Sequence, residues 1–474
     1  MLGFYFALQV VVRMCLSSTL DLDEAEQVLS YRQLALGYDT QPPLYAWLQS
    51  LVFTVFGLNL FSLAVLKNLL LFSTYAFFFY TARQLTGTSA AIAAASSLLL
   101  LPQIAWESQR DLTHSVLLTS LASATLCAYF ALLRKPSAAR YALLGLLIGL
   151  GLQSKYNFAL FLATLTSASL LTPEHRRALW NAKALIAVAV AFLCLAPHGY
   201  WLLDHVGTAA GGTMQKMREG SRDAGYVRNV AAGLGSMMVA TLAFLTPLWL
   251  VYGLACRHSF RGAKVKVDDS TARFFLVFLA ACFVWLTVLV FTGKVIKIKD
   301  RWLQPLLFVV PLAFFVLLPG ASSPRVHRRI VQVAVLAALA ILIAISSRAY
   351  IGERLGKGMR ANLPYSQLAA ELTRRFPQAD TLIGGDKHTA GNLMFQRPGL
   401  NVLELSEVMS RPLDHGAQAL IVVRGGWLDD WPDRFSISHP HLQIIQTGSI
   451  ELPFRSRNAE LMIFNYALAG PRNP

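Results

Sequence analysis

The stretch LDLDEAEQ at residues 20–27 crowds four acids, Asp21, Asp23, Glu24 and Glu26, directly behind the first apolar run of the chain. A carboxylate held beside a hydroxyl can take its proton or orient it for attack. On a helix over 21–37, Asp23, Glu26, Gln27 and Ser30 fall at helical spacings, Gly37 suits the helix end, and Pro42 and Pro43 forbid direct continuation. The same acids equally suit the cap and solvated face of a surface helix. A second polar set lies in WESQRDLTHS at 106–115, with Glu107, Arg110, Asp111 and His114. A further carboxylate there would serve base or acceptor-orienting work, whereas a plain solvated loop would hold an Arg-Asp pair. Glu107 and His114 lack neighbours at the spacing that marks a metal site. The third set is basic: Lys294, Lys297, Lys299 and Arg301 in GKVIKIKDRWLQP at 293–305, with Lys155 in GLQSKYNF. Such cations bind phosphate or anchor to lipid headgroups.

What must position these residues is a membrane. The 474 residues are 55% hydrophobic and 14% charged, against about 25% charged in ordinary soluble domains. Mean hydropathy is +0.48. The net charge of +16 does not point to nucleic acid, because the basic residues fall in short clusters between apolar runs, as an orienting charge bias does. Cys15, Cys127, Cys194, Cys256 and Cys282 lie in or beside apolar runs without metal or redox spacing and read as small buried hydrophobes. The opening MLGFYFALQVVVRMCLSS lacks a basic start and a small-residue cleavage site, so a retained membrane helix is expected rather than a signal peptide.

Apolar runs occur near 1–18, 60–82, 88–105, 114–133, 141–171, 183–203, 233–256, 273–292, 303–319 and 329–346. The run at 141–171 is too long for one span and holds Lys155 at its middle, where a charge is expensive unless the helix breaks there. Splitting it puts the clusters around Arg134, Arg176, Arg257 and Arg325 on the cytoplasmic side, as the positive-inside bias requires. The count is then about eleven spans, with the N-terminus inside and the acids at 21–26 outside. The segment 44–60 is expected as a helix along the outer interface, and the Gly-rich, basic stretch 204–232 as a long loop able to close over a ligand. Beyond residue 347 the composition turns soluble: LPYSQLAAELTRRFPQADTLIGGD reads as helix, turn and strand, and QALIVVRGG and HLQIIQTGSI as further strands. The expected fold is a polytopic α-helical membrane protein, 1–346, with a small C-terminal α/β soluble domain, 347–474.

An Asp-Glu pair just after the first span, followed by GYDTQPPLYAWL and a long second span, resembles the GT-C class of membrane glycosyltransferases. The protein O-mannosyltransferases, the lipid A aminoarabinose transferases and bacterial enzymes that put sugars such as galacturonic acid on lipopolysaccharide belong there. GLGLQSKYN and KDRWLQPLLF fit the same pattern. The resemblance implies an inverting enzyme that takes a sugar from a polyprenyl-phosphate donor on the outer face of a bacterial cytoplasmic membrane. It makes Asp23 with Glu24 the catalytic acids, with Asp111 in the second acidic region. Lys155, Lys299 and Arg301 would bind the donor phosphate, and Asp21, Tyr38, Gln41, Arg110 and His114 would support the site or acceptor. Gln41 departs from the Lys that aminoarabinose transferases carry before Pro-Pro, which separates this chain from their donor contacts; Asp21 competes with Asp23 for the base role.

Such chemistry needs positive charge at the leaving phosphate and a carboxylate for the acceptor proton. It requires no nucleotide and no obligatory cofactor, and no phosphate-cradling P-loop occurs; a divalent metal is compatible with it. The partners implied are the polyprenyl-phosphate lipid and an envelope acceptor: lipid A, lipopolysaccharide or another glycan. The alternatives are a protein O-glycosyltransferase of the same class, a lipid-linked-sugar transporter or flippase, and a nonenzymatic envelope scaffold. A transporter would want paired broken helices in two related halves, and the sequence shows one break without internal symmetry.

Overall fold

The computed structural model describes residues 1–218, 225–257, 265–266, 268–321, 323–354, 359–410, 413, 418–426, 431–454 and 461–472. Helices dominate as far as residue 354: α1 (Leu2–Leu16), α2 (Leu22–Ser30), α3 (Leu44–Phe56), α4 (Leu60–Leu85), α5 (Thr88–Ser96), a π-helical turn (Gln103–Glu107), α6 (Ser108–Arg110), α7 (His114–Arg134), α8 (Ala138–Ser154), α9 (Phe158–Leu171), α10 (Pro173–Leu179), α11 (Ala184–Arg218), α12 (Tyr226–Cys256), α13 (Ser270–Phe291), α14 (Asp300–Leu307), α15 (Val310–Leu317) and α16 (Pro324–Arg354). Among the described residues, seven helices are long and apolar enough to cross a membrane. An eighth forms if Thr88–Leu100 and Gln103–Arg110, bent by 72° at a break, make one span. Four shorter apolar helices, α1, α3, α8 and α9, accompany them. The chain is a multi-pass membrane protein.

The chain divides into two compact units. One comprises Met1–Phe6, Ala35–Tyr45 and Lys67–Ile341; the other comprises Ala7–Leu34, Ala46–Leu66 and Leu342–Pro474. Within the first, the long apolar run does break at Lys155: α8 ends at Ser154, Lys155 is extended, and α9 begins at Phe158. Helix α8 packs closely on α11 because Gly145 presents no side chain; a Cβ there would run into the Ala187 backbone. One alternative drops out and two expectations need correction. The segment after the third apolar run is no loop, since Pro102 follows a break beyond which the chain turns helical again as far as Arg110. Nor is 204–232 a long loop: α11 continues to Arg218 with a bend at His205, and α12 starts at Tyr226, the residues between 218 and 225 lying outside the described ones. Ala, Met, Gln, Lys and Arg in TAAGGTMQKMR are good helix formers and outweigh the three glycines near them. Finally, α2 stops at Ser30 rather than reaching Gly37.

The second unit is built on a five-stranded sheet, in order β2 (Asn401–Glu404), β1 (Thr381–Gly384), β3 (Ala419–Arg424), β5 (Leu461–Pro471), β4 (Leu442–Pro453). β1 runs parallel to both neighbours, and β5 runs antiparallel to β3 and β4. Strand side chains alternate faces. Leu382, Leu420 and Val422 therefore join the core under α17 (Tyr365–Arg375) and α18 (Lys387–Gln396), while Ile383, Ile421 and Val423 pack with Trp431 and Phe435 on the other face.

Helix α18 also holds α2. The Leu20 N–H donates to Asn392 Oδ1 at 2.8 Å, and His388 Nε2–H donates to the Leu20 carbonyl at 2.8 Å. That leaves His388 Nδ1 to accept from the Tyr365 hydroxyl at 3.2 Å. Burial lowers the His388 pKa and pushes the Tyr365 phenol up to about 12, so both groups stay neutral at physiological pH. Gly391 sets the approach: a methyl there would lie 2.7 Å from Ala25 Cα. Gly391→Ala is expected to lower stability by about 1–3 kcal/mol, the usual cost of overpacking, read as an earlier thermal unfolding midpoint of the purified protein; an unchanged midpoint would show that the two helices are not locked together.

Candidate active site

In the second unit, α2 buries Ala25 and Val28 against Leu20, Phe53 and Leu63. Asp21, Glu24 and Glu26 each form an ion pair. Glu24, 2% exposed, receives Arg13 Nε at 2.9 Å and Nη2 at 2.6 Å, and its Oε2 also accepts the Asp21 N–H at 3.0 Å as a helix cap. Arg13 also donates to the carbonyls of Ser17 (2.7 Å) and Thr19 (3.0 Å). Asp21, also buried, pairs with Arg348 at 2.7 Å, and Glu26 pairs with Lys387 at 3.4 Å. Asp23 projects from the first turn of α2 half-buried, retaining access to solvent.

The first unit holds the other groups. The break at Lys155 is fixed from both sides. Lys155 Nζ donates to Ser115 Oγ at 2.7 Å, His114 Nδ1–H donates to the Ser154 carbonyl at 3.3 Å, and Tyr156 bonds His198 at 3.3 Å. His114 is itself buried against Tyr45. It is thus placed to support the break rather than to meet solvent. Arg110 pairs with Glu107 at 2.7 Å on the helical arm, in place of the Arg-Asp pair that the solvated-loop alternative called for. Asp111 follows that arm half-buried. Tyr38 and Gln41 close a tight turn by exchanging backbone bonds of 3.1 and 2.8 Å, with Asp39 at φ +48° between them. The Tyr38 hydroxyl accepts the Ala35 N–H at 3.0 Å, and burial raises its pKa.

Helix α14 brings the basic segment inward. Lys299 immediately precedes it and Arg301 lies in its first turn, and the helix packs against α7, α9 and the π-helical turn. Gln103 Nε2 donates to Asp300 Oδ2 at 3.2 Å, and Gln304 Nε2 to Ser108 Oγ at 3.2 Å. Yet Gln103 Oε1, Gln304 Oε1, Arg301 Nε and both amide atoms of Asn157 are buried with no hydrogen-bond partner. Buried polar atoms are ordinarily satisfied, so a concentration of orphans marks a place for a polar ligand. An Arg N–H suits an anionic oxygen, and carboxamide oxygens suit hydroxyls. Sequence reasoning missed Gln103, Asn157 and Gln304, because nothing local in a glutamine or asparagine says that its partner is lacking. It also missed Lys67, whose signal was legible: a cation well inside an apolar helix. Among the described residues no group of three His, Cys, Asp or Glu side chains is placed to hold a metal ion.

A many-spanned membrane protein with an acidic helix behind its first apolar segment, a helix broken at a lysine and a C-terminal α/β sheet has the architecture of a GT-C glycosyltransferase. In fold the chain is similar to the crystal structure of ArnT from Cupriavidus metallidurans bound to undecaprenyl phosphate, with a TM-score of 0.60 at 14% identity over 98% of this chain and 97% of that one. The sequence profile of the family described as dolichyl-phosphate-mannose-protein mannosyltransferase matches residues 40–201. Among curated proteins, the lipopolysaccharide core galacturonosyltransferase RgtB of Rhizobium johnstonii is 36% identical over 85% of this chain and 82% of its own length. RgtA of the same organism, also a lipopolysaccharide core galacturonosyltransferase, is 32% identical over 99% of this chain and 97% of its own. The chain belongs to this family of GT-C membrane glycosyltransferases and is an enzyme.

Proposed function

We propose that the protein transfers galacturonic acid from a polyprenyl-phosphate donor to a hydroxyl of the lipopolysaccharide core or lipid A, on the periplasmic face of a bacterial inner membrane. The acceptor oxygen attacks the anomeric carbon, the bond from that carbon to the phosphate oxygen breaks, and the electron pair leaves with polyprenyl phosphate; configuration inverts. The Asp23 carboxylate takes the acceptor proton. Arg301, Lys155 and Lys299 hold the phosphate, whose departure as an anion is assisted by their charge. Asp21 and Glu24, committed to arginines, keep α2 in place, and Asp23 stands half-buried in its first turn.

The observation that carries this reading is the buried, unfilled Arg301 Nε–H on the same helix as the unfilled Gln304 carbonyl, three residues on. A sugar phosphate offers both an anionic oxygen and hydroxyl donors. The likeness to galacturonosyltransferases along nearly the whole chain supports the choice of sugar and acceptor.

The test supplies the purified full-length protein with polyprenyl-phosphate galacturonic acid and lipopolysaccharide core, and follows both release of polyprenyl phosphate and the gain of one hexuronic acid by the acceptor. Arg301→Met should cut kcat/KM by about 10- to 100-fold, the worth of a buried charge-assisted hydrogen bond. Release without an acceptor product, or transfer only of a neutral sugar, would defeat the proposal.

A further inference from the structure

Helix α4 carries two charged residues within its 26. Arg83 lies in the last turn and donates to Thr88 Oγ1. Lys67 lies seven residues in from the start, about 10 Å along the axis at 1.5 Å per residue, and is only 4% exposed. Leu71, Thr74 and Phe78, buried at following turns of the helix, share its inward face. Among the described residues, no ion pair or hydrogen bond is made by its ammonium. A cation withdrawn almost entirely from solvent and lacking an anion is costly and, in a membrane segment, points to a ligand that supplies the missing charge. The surroundings are polar at that level: the neighbouring Asn68 Oδ1 accepts Gln109 Nε2 at 2.9 Å, tying α4 to the arm that carries Glu107 and Arg110.

We propose that Lys67 binds the carboxylate of a uronic acid donor and so sets the sugar specificity of the enzyme. This rests on the galacturonosyl reading above. Such a donor brings two anionic groups, the phosphate and the sugar carboxylate. The proposed phosphate ligands, Arg301, Lys155 and Lys299, account for the first and leave the second unmatched. A lysine ammonium is a compact point charge with three donors and suits a single carboxylate, whereas a neutral hexose gives it nothing to pair with. Desolvating the ammonium for a sugar that lacks the carboxylate is penalised, which is how one buried group rejects a near-isosteric substrate.

The experiment compares two donors that differ only at C6, undecaprenyl-phosphate galacturonic acid and undecaprenyl-phosphate galactose, with the wild type, Lys67→Met and Lys67→Arg in detergent. Donor Kd is measured alongside kcat/KM, so the comparison stands where the neutral donor turns over slowly, and a melting curve checks that each variant is folded. Lys67→Met should lose about 10- to 100-fold in affinity and kcat/KM for the uronyl donor, change less than about threefold for the galactosyl donor, and so lose the preference between them; Lys67→Arg should keep part of it. Equal losses on both donors would assign Lys67 to the phosphate or to structure, and no loss on either would leave it without a substrate role; each result overturns the inference. A folded wild type that uses only the neutral donor would instead overturn the galacturonosyl reading, which separates the two failures.

Discussion

Asp23→Asn should lower the rate of glycosyl transfer by about 10²- to 10⁴-fold, the usual contribution of a positioned general base, while the protein still folds. The substitution keeps the size and shape of the side chain but removes the basic oxygen pair. Asp23 sits in the first turn of α2, half-buried, so the structural cost includes the lost attraction between its charge and the helix N-terminus, about 0.3–1 kcal/mol. The acceptor proton then has no carboxylate to receive it, and the loss should fall on kcat more than on the KM for the donor. Release of polyprenyl phosphate under saturating donor measures this directly. A variant retaining a tenth or more of the wild-type rate would move the base role elsewhere, with Asp111 the next carboxylate to replace.

Glu24→Gln should behave in the opposite way, damaging the fold before the chemistry. Glu24 is 2% exposed and bidentate on Arg13, whose guanidinium is 12% exposed at the side chain and otherwise satisfied only by two carbonyls. Removing one partner of a buried ion pair strands the other charge, at a cost of about 3–5 kcal/mol. The thermal midpoint of the purified enzyme should fall by several degrees, with poorer recovery from membranes. Replacing both partners, as Arg13→Met with Glu24→Gln, should recover part of the loss, because the stranded charge is then gone; a double-mutant cycle reads the coupling. If Glu24→Gln melted like the wild type yet lost activity, Glu24 would have to be counted among the reacting groups, and the division of labour on α2 would be wrong.

Much of this protein is legible along the chain because hydropathy is a local signal. Runs of apolar residues announced the membrane helices, the cost of a mid-run charge announced the break at Lys155, and short apolar runs bounded by Gly and Pro announced β1, β3 and β4. The acidic stretch behind the first apolar helix, the GYDTQPPLYAWL motif and the basic segment before α14 were sufficient to place the chain in its class. Helix ends and weak elements were less visible. The four-residue β2 is too short to show a period, α2 stops at Ser30 without a glycine, and the residues of α11 beyond His205 read as loop because their glycines masked an otherwise helical composition.

What only the tertiary structure decided is which of several similar side chains does which job. Asp21, Asp23, Glu24 and Glu26 are indistinguishable as types, and their partners lie at separations that no local pattern encodes: Arg13 for Glu24, Arg348 for Asp21, Lys387 for Glu26. The same holds for Arg110, which turns to Glu107 once the chain after Pro102 becomes helical, because residues three apart face one another on a helix. It holds as well for the atoms left unmatched, Arg301 Nε and the carbonyls of Gln103 and Gln304. Residue types and hydropathy determine that a chain like this lies in a membrane and carries acids and cations for group transfer. Which of those charges are neutralised by the fold and which remain for a substrate is settled by pairing across hundreds of residues, since an ion's energy depends on what stands within a few ångströms of it and not on its neighbours in sequence.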